Sequence, residues 1–216
     1  MTTTADRLNQ LLAQVDSPSL TPEQSEKFTA YLTLLQRWNA RTNLTAIRDE
    51  EGILSRHFVE SILCARALPV EIVSLLDFGS GAGFPGLPIA IIRNEISVTL
   101  AESQNKKATF LREAARVLNL PTKVHSARAE QLTQTYNGIT LRAVDNMEQA
   151  IPAAIKLLSP NGWLALMTTQ EEIPSIQTQT KETPILWQPE IPLPKNTNRI
   201  LLLGKNSNSQ LSNPTH

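Results

Sequence analysis

Leu75-Leu76-Asp77-Phe78-Gly79-Ser80-Gly81-Ala82-Gly83-Phe84-Pro85-Gly86 is the stretch that decides the fold. An apolar run ends in an acid, and four glycines follow within the eight residues from Gly79 to Gly86. This pattern predicts a buried strand, a tight turn and the start of a helix. Glycines at alternate positions let the backbone pass close to a ligand, with no Cβ in the way and with positive φ available. Packing alone does not call for so many, so a nucleoside-type ligand is expected at this turn.

Working outward, short apolar runs alternate with helical stretches from Ile72 onward, which is the grammar of βαβ units. Strands are expected at Ile72–Asp77, Val98–Glu102, Thr122–Ser126, Gly138–Ala143, Trp163–Thr168, Ile185–Trp187 and Arg199–Leu203. Between them, Ser103 should cap a helix that turns Phe110, Leu111, Ala114, Val117 and Leu118 inward. A further helix should run from Met147 to Leu158 before the turn Ser159-Pro160-Asn161-Gly162. The fold class is therefore α/β and Rossmann-like: a seven-stranded, mostly parallel sheet with helices on both faces.

Gly81-x-Gly83-x-x-Gly86 satisfies the dinucleotide fingerprint, so the turn alone does not choose between cofactors. Glu102 ends the second strand, where an acid can accept both hydroxyls of a ribose; nicotinamide and S-adenosylmethionine sites share that feature. Ala127-Arg128-Ala129-Glu130 after the third strand and Leu158-Ser159-Pro160-Asn161-Gly162 leading into the fifth are habits of methyltransferases more than of dehydrogenases.

Before Ile72 the chain reads as helical. Thr21-Pro22-Glu23-Gln24 is a capping box with proline at the first helical position, and Phe28, Tyr31, Leu32, Leu35 and Trp38 follow at helical spacing. A polar turn over 39–45 leads to a second helix from about Asp49 to Ala67, with Leu54, Phe58, Ile62 and Ala65 on one face, broken at Pro69. The expected organisation is a helical N-terminal cap over 1–70, a methyltransferase domain over 71–204 and a disordered, low-complexity tail over 205–216.

In 216 residues, 20 Lys and Arg cancel 20 Asp and Glu, at a pI near 6.8, which excludes a uniformly basic coat for nucleic acid. A local surplus remains: Lys106, Lys107, Arg112, Arg116, Lys123 and Arg128 face only Glu113 and Glu130 between Gln104 and Glu130. Cys64 is the one cysteine, which excludes an intramolecular disulfide and every Cys-pair zinc or redox motif. With His57, His125 and His216 the only histidines, no metal centre is expected. His125 and the tryptophans Trp38, Trp163 and Trp187 read as structural. The N-terminus lacks a signal peptide's apolar core, and the most hydropathic window, about 74–92, holds Asp77, four glycines and two prolines, so no membrane association and a cytoplasmic location are expected.

Over about residues 25–170 the chain resembles the RsmG or GidB family of bacterial methyltransferases, which act on N7 of a guanine in 16S ribosomal RNA of the small subunit. Asn43-Leu44-Thr45, Arg56-His57, Asp77 through Pro88 with its Phe-Pro-Gly-Leu-Pro ending, Glu102-Ser103 with Lys106-Lys107, and Leu141-Arg142-Ala143 carry the resemblance. It implies S-adenosylmethionine as cofactor, contacted by Gly79, Gly81, Phe84, Ala129, Glu130 and Arg142, with Glu102 on the ribose. It implies Arg142 as the catalytic residue near the reacting end, and Arg56, His57, Lys106 and Lys107 as RNA contacts. The implied partner is small-subunit ribosomal RNA or a ribosome assembly intermediate, bound by a monomer.

The chain departs from the family twice. Leu141 stands where a serine usually precedes the arginine, and Met167-Thr168-Thr169-Gln170 replaces a usual Lys-Gly after the fifth strand. The missing lysine bears on substrate grip or specificity rather than on cofactor binding. A methyltransferase acting on a different RNA or a small substrate, and a non-catalytic RNA-binding relic, therefore stand as alternatives. A relic is expected to have accumulated bulky residues in the glycine turn, and this chain has not.

Overall fold

A computed structural model describes residues 2–144, 146–194 and 198–208. Its centre is β1 (Ser74–Phe78), buried on both faces after its first residue, as a strand inside a parallel sheet must be. β2 (Ser97–Ala101) and β4 (Tyr136–Arg142) flank it in parallel, with β3 (Lys123–His125) outside β2 and β5 (Leu158–Thr169) outside β4. Beyond β5 the pairing turns antiparallel, first with β8 (Arg199–Asn206) and then with β6 (Ile185–Trp187). The order is β3-β2-β1-β4-β5-β8-β6. Chain direction across the sheet reverses between β1 and β4, and the crevice outside such a switch point is where open α/β sheets bind ligands.

All seven expected strands form. An eighth, β7 (Ile191–Pro192), pairs with β8 inside the proline-bearing segment between β6 and β8. β8 also runs further than expected: Lys205 and Asn206 pair with Leu186 and Ile185, so two residues assigned to the tail complete the sheet. The expected tail from 209 onward lies outside the described residues.

The N-terminal segment holds one helix that its polar composition hid. α1 (Thr4–Ala13) is closed by a capping box between Thr3 and Asp6 and turns Leu8, Leu11 and Leu12 inward. α2 (Pro22–Thr42) starts at the expected box but runs on into the expected turn, stopping where Asn43 enters the left-handed region at φ 48°. The next helix begins as α3 (Glu50–Gly52), widens into a π-helical segment (Ile53–Val59) and continues as α4 (Glu60–Ala67). Between the strands lie α5 (Gly86–Ile92), α6 (Asn105–Val117), α7 (Met147–Lys156) and α8 (Ile173–Thr180). Gln104, not Ser103, is the N-cap of α6, and Val117 points outward with 41% of its surface exposed, so the apolar face is narrower than its spacing suggested. α7 stops at Lys156, and Leu158 opens β5. No helix among the described residues is long and apolar enough to cross a membrane.

The N-terminal helices share one hydrophobic core with α5, α6 and a face of the sheet, while residues of α7 and α8 pack in a second core. Rings join the two parts of the first core: Phe58 lies 5.1 Å from Phe28, 5.2 Å from Tyr31 and 5.9 Å from Phe84, centroid to centroid. Offset and tilted contacts of this kind add to the area that the rings bury. Phe58→Ala is expected to cost about 4 kcal/mol, with the helices and the sheet losing structure together; urea unfolding followed by far-UV signal and by tryptophan fluorescence should show one shared, lowered midpoint.

Candidate active site

The site is built from the ends of β1, β2 and β4. Asp77, inside β1, is buried and fixes the turn that follows. One carboxylate oxygen accepts from the Thr140 hydroxyl at 2.8 Å and the other from the Gly86 N–H at 3.2 Å, while the Ser80 hydroxyl donates to the Asp77 carbonyl at 2.9 Å. A Cβ on Gly86 would stand 2.4 Å from a Leu100 methyl and 2.6 Å from the carboxylate, so only glycine lets α5 start against Asp77. Gly79 and Gly81 are glycine for another reason, their φ values of +74° and +58°. Burial pushes the Asp77 carboxyl up to about 6, against the opposing pull of its hydrogen bonds from Thr140 and Gly86, of the nearby Ser80 hydroxyl and of the Arg142 charge.

Above the turn opens a cavity of about 480 Å³, within the size range of small-molecule sites. Gly79, Gly81 and Phe84 line it from the turn, and Glu102 from the end of β2. The Glu102 carboxylate accepts the Gly81 N–H at 2.9 Å on one oxygen and the Gln104 N–H at 2.7 Å on the other. Those two bonds fix its plane and leave a lone pair on each oxygen. Ala129 and Glu130 reach the same cavity from a single 3₁₀ turn (Ala129–Gln131) beyond β3.

The opposite end is lined by Arg142, His57, Leu44 and Thr45. Arg142 is the last residue of β4, and Ala143 after it takes a left-handed φ of 49°, which turns the chain away. The Arg142 guanidinium lies 5.9 Å above the Phe84 ring, whose plane is also stacked on His57 at 4.5 Å. His57 Nε2 is 2.7 Å from the Thr45 hydroxyl. Burial, and then the charges of Arg142, Arg56 and Arg199, hold the imidazole down at about 3, so the ring is neutral at physiological pH. Arg142 is lowered to about 10, chiefly by burial, and stays charged.

Of the residues singled out from sequence for RNA, His57 and Lys107 reach the cavity. Lys106 is exposed beside it on the first turn of α6, and Arg56 stands behind Arg142 as backbone and charge. Sequence reasoning missed Glu60 and Arg199. Glu60 is 2% exposed and meets three guanidiniums, those of Arg56, Arg142 and Arg199. Arg199 is 139 positions from Glu60, and no local pattern in either segment announces the pair. Among the described residues no group of three His, Cys, Asp or Glu side chains gathers in metal-binding geometry. His125 sits on β3 with its ring nitrogen 3.2 Å from the Arg128 carbonyl, Cys64 is fully buried, and the three indole N–H groups donate to Glu113, Glu71 and the Thr180 hydroxyl.

The two shifted groups affect stability in opposite directions. Asp77 has a folded pKa above its unfolded value of 3.8, so its contribution is full below 3.8 and lost as pH rises through about 6. His57 has a folded pKa below its unfolded value of 6.5, so its contribution is full above 6.5 and lost as pH falls towards about 3. Comparing the protein with its Asp77→Asn variant cancels the histidine. Urea unfolding at pH 4.5 and at pH 7 should show the difference moving in the variant's favour by about 2 kcal/mol as pH rises; a constant difference would mean that Asp77 ionises as freely in the folded protein as in the unfolded one.

The profile of the family described as rRNA small subunit methyltransferase G, GidB, matches residues 24–194. A protein of Roseiflexus sp. (strain RS-1) named ribosomal RNA small subunit methyltransferase G is 45% identical over 150 residues, covering 66% of this chain and 64% of its own length, just under two thirds. Its namesake in Halorhodospira halophila is 41% identical over 180 residues, covering 82% of this chain and 81% of that one. Among solved structures, a ribosomal protein L11 methylase from Lactobacillus delbrueckii subsp. bulgaricus is similar at a TM-score of 0.59 and 14% identity, covering 69% of this chain and 77% of that one. M. jannaschii TYW2 in complex with AdoMet is similar at a TM-score of 0.54 and 11% identity, covering 68% of this chain and 74% of that one. At such identities the likeness is one of fold, and the fold is that of the Rossmann-like methyltransferases. The sequence relationship is much closer: this chain belongs to the rRNA small subunit methyltransferase G family.

Proposed function

We infer that this protein is an S-adenosylmethionine-dependent methyltransferase of small-subunit ribosomal RNA and that its acceptor atom is N7 of a guanine. The observation that carries the reading is the cavity whose one end is the glycine turn with Glu102 and whose other end is Arg142 with His57, in a chain matched to this family over most of its length. The residues present fit the cofactor. The two fixed oxygens of Glu102 suit the two hydroxyls of a ribose, Gly79 and Gly81 bring backbone to the cavity without side chains, and Ala129-Glu130 form the wall on which an adenine would lie.

S-adenosylmethionine supplies a methyl group on a cationic sulfur, which N7 can take with its in-plane lone pair while the sulfur keeps the electrons of the old bond. Guanine N7 carries no proton at neutral pH, so no side chain is needed as a base. The protein's task is alignment and exclusion of water. The stacked rings of Phe84 and His57 wall the cavity, and the neutral imidazole contributes no charge. Arg142 supplies the charged donor at the acceptor end. Lys107 at the cavity and Lys106 beside it suit RNA phosphates, as does the half-exposed guanidinium of Arg56. Because the deep groove of an RNA helix hides N7, the target is an unpaired or looped guanine. A ribosomal RNA substrate puts the working protein in the cytoplasm, where one chain supplies the whole site.

The test is incubation with labelled donor and small-subunit RNA, free or in particles, from cells lacking their own methylation at this position. One 7-methylguanosine is expected, and label on any other atom overturns the acceptor assignment. Glu102→Ala should weaken binding of S-adenosylhomocysteine, followed by calorimetry, by about thirtyfold, the loss of two charge-assisted hydrogen bonds net of solvation. The methylation rate should be flat between about pH 7 and about pH 9, because the shifted groups titrate at about 3, about 6 and about 10. A steep limb inside that window would reveal a proton transfer that alignment does not require.

A further inference from the structure

Arg142 is held at one end and free at the other. Its Nη2 donates to the Arg56 carbonyl at 2.6 Å and to Glu60 Oε2 at 3.1 Å. Its Nη1 is buried and has no hydrogen-bond partner among the described residues, on a residue that lines the cavity. A buried donor of this kind is costly unless something accepts from it. Glu60 is itself fixed, because Arg199 grips both carboxylate oxygens, Nε on Oε1 at 2.9 Å and Nη2 on Oε2 at 2.8 Å. Arg56 adds a looser contact at 3.4 Å. The carboxylate comes from α4, Arg142 from the end of β4 and Arg199 from the start of β8, so three separate elements fix the direction of one guanidinium.

Resting on the reading of guanine N7 as the acceptor, we propose that Glu60 and Arg199 are positioning residues that aim Arg142 Nη1 at O6 of the target guanine. N7 and O6 are neighbours on one edge of the base. Guanine presents acceptors at both, whereas adenine presents an amino donor where guanine has O6. Arginine only donates, so a guanidinium at this point accepts guanine and leaves an adenine with two donors face to face. The contact also sets rotation within the base plane. Stacking on an aromatic ring fixes the plane of a base but leaves it free to turn within that plane, and the N7 lone pair must point along one direction. The charge balance of the cluster suits an acceptor, since three guanidiniums face one carboxylate.

The test is a cycle between protein and substrate. Small-subunit RNA is assembled by ligation with guanine or 2-aminopurine, which lacks O6, at the mapped methylation site. Each RNA is then methylated by the unsubstituted protein and by Glu60→Gln, with kcat and KM followed on both. Any intrinsic difference in N7 reactivity between the bases cancels in the cycle. Glu60→Gln on guanine should lose roughly thirtyfold in kcat/KM and bind S-adenosylhomocysteine within about threefold of the unsubstituted protein. On 2-aminopurine the substitution should have little further effect. Arg199→Gln, which leaves the carboxylate in place, should repeat the pattern and serves where Glu60→Gln fails to fold. Equal losses on both bases, or a loss of cofactor-product affinity in proportion to the loss of rate, overturn the assignment. If the unsubstituted protein forms no 7-methylguanosine at all, the acceptor reading falls, and this inference falls with it.

Discussion

The structure depends on a carboxylate placed where water does not reach. Asp77 lies inside the central strand, and its oxygens are satisfied by a hydroxyl from β4 and by the first backbone N–H of α5. A buried acid with those two partners can sit in one place only: between two adjacent strands and directly under the helix that follows the turn. It therefore sets the distance between β1 and α5, and with it the path of the glycines. Removing the Cβ at Gly86 is what lets the helix come that close. Burial raises the acid's pKa to about 6, so the arrangement costs stability at neutral pH. The chain tolerates that cost at the point where the turn must be held against a ligand.

A second constraint joins the N-terminal helices to this turn. Tyr31 donates its hydroxyl to the Ala82 carbonyl at 2.5 Å and stacks on Phe84 at 5.3 Å, so α2 touches the glycine loop through a hydrogen bond and a ring. His57, from the π-helical segment, also stacks on Phe84. The phenylalanine of the Phe-Pro-Gly sequence is thus the joint between the helical segment and the sheet, and it is also part of the cavity wall. A substitution that disturbs the helices is felt at the ligand end within one contact.

How much of this was legible follows from the range of each interaction. The glycine turn, Glu102 and the strands around them could be read because each is a local pattern of a few residues whose backbone needs are specific. The inward faces of α2 and α4 could be read because their period is strict over several turns. α1 escaped because only Leu8, Leu11 and Leu12 mark its buried face in an otherwise polar stretch. The widening at Ile53–Val59 leaves no signature, since side-chain spacing over seven residues fits an α-helix nearly as well. Glu60 and Arg199 read as an ordinary helical acid and an ordinary strand-opening base, and only the crossing of the chain brings them together.

The balanced composition has a related explanation in where the charges are used. Glu60 is consumed in the interior, and Glu113, the acid in the middle of α6, is taken by the Arg37 guanidinium at 2.7 Å and the Trp38 indole at 3.0 Å. Lys106, Lys107, Arg112 and Arg116 on the same helix have no ion pair among the described residues. A chain with zero net charge thus shows solvent a positive edge running from the cavity along α6, because an opposing acid on that helix is engaged by α2. Formal charge counts residues, whereas a polyanion meets only those left unpaired at the surface. The same reasoning holds inside the cavity, where burial, and then the three guanidiniums that share the one Glu60 carboxylate, keep His57 neutral, and where Arg142 Nη1 has no partner among the described residues. On the proposed reading, recognition of RNA by this chain is a matter of two small surpluses, one at the cavity rim and one around Glu60, set by pairing rather than by composition.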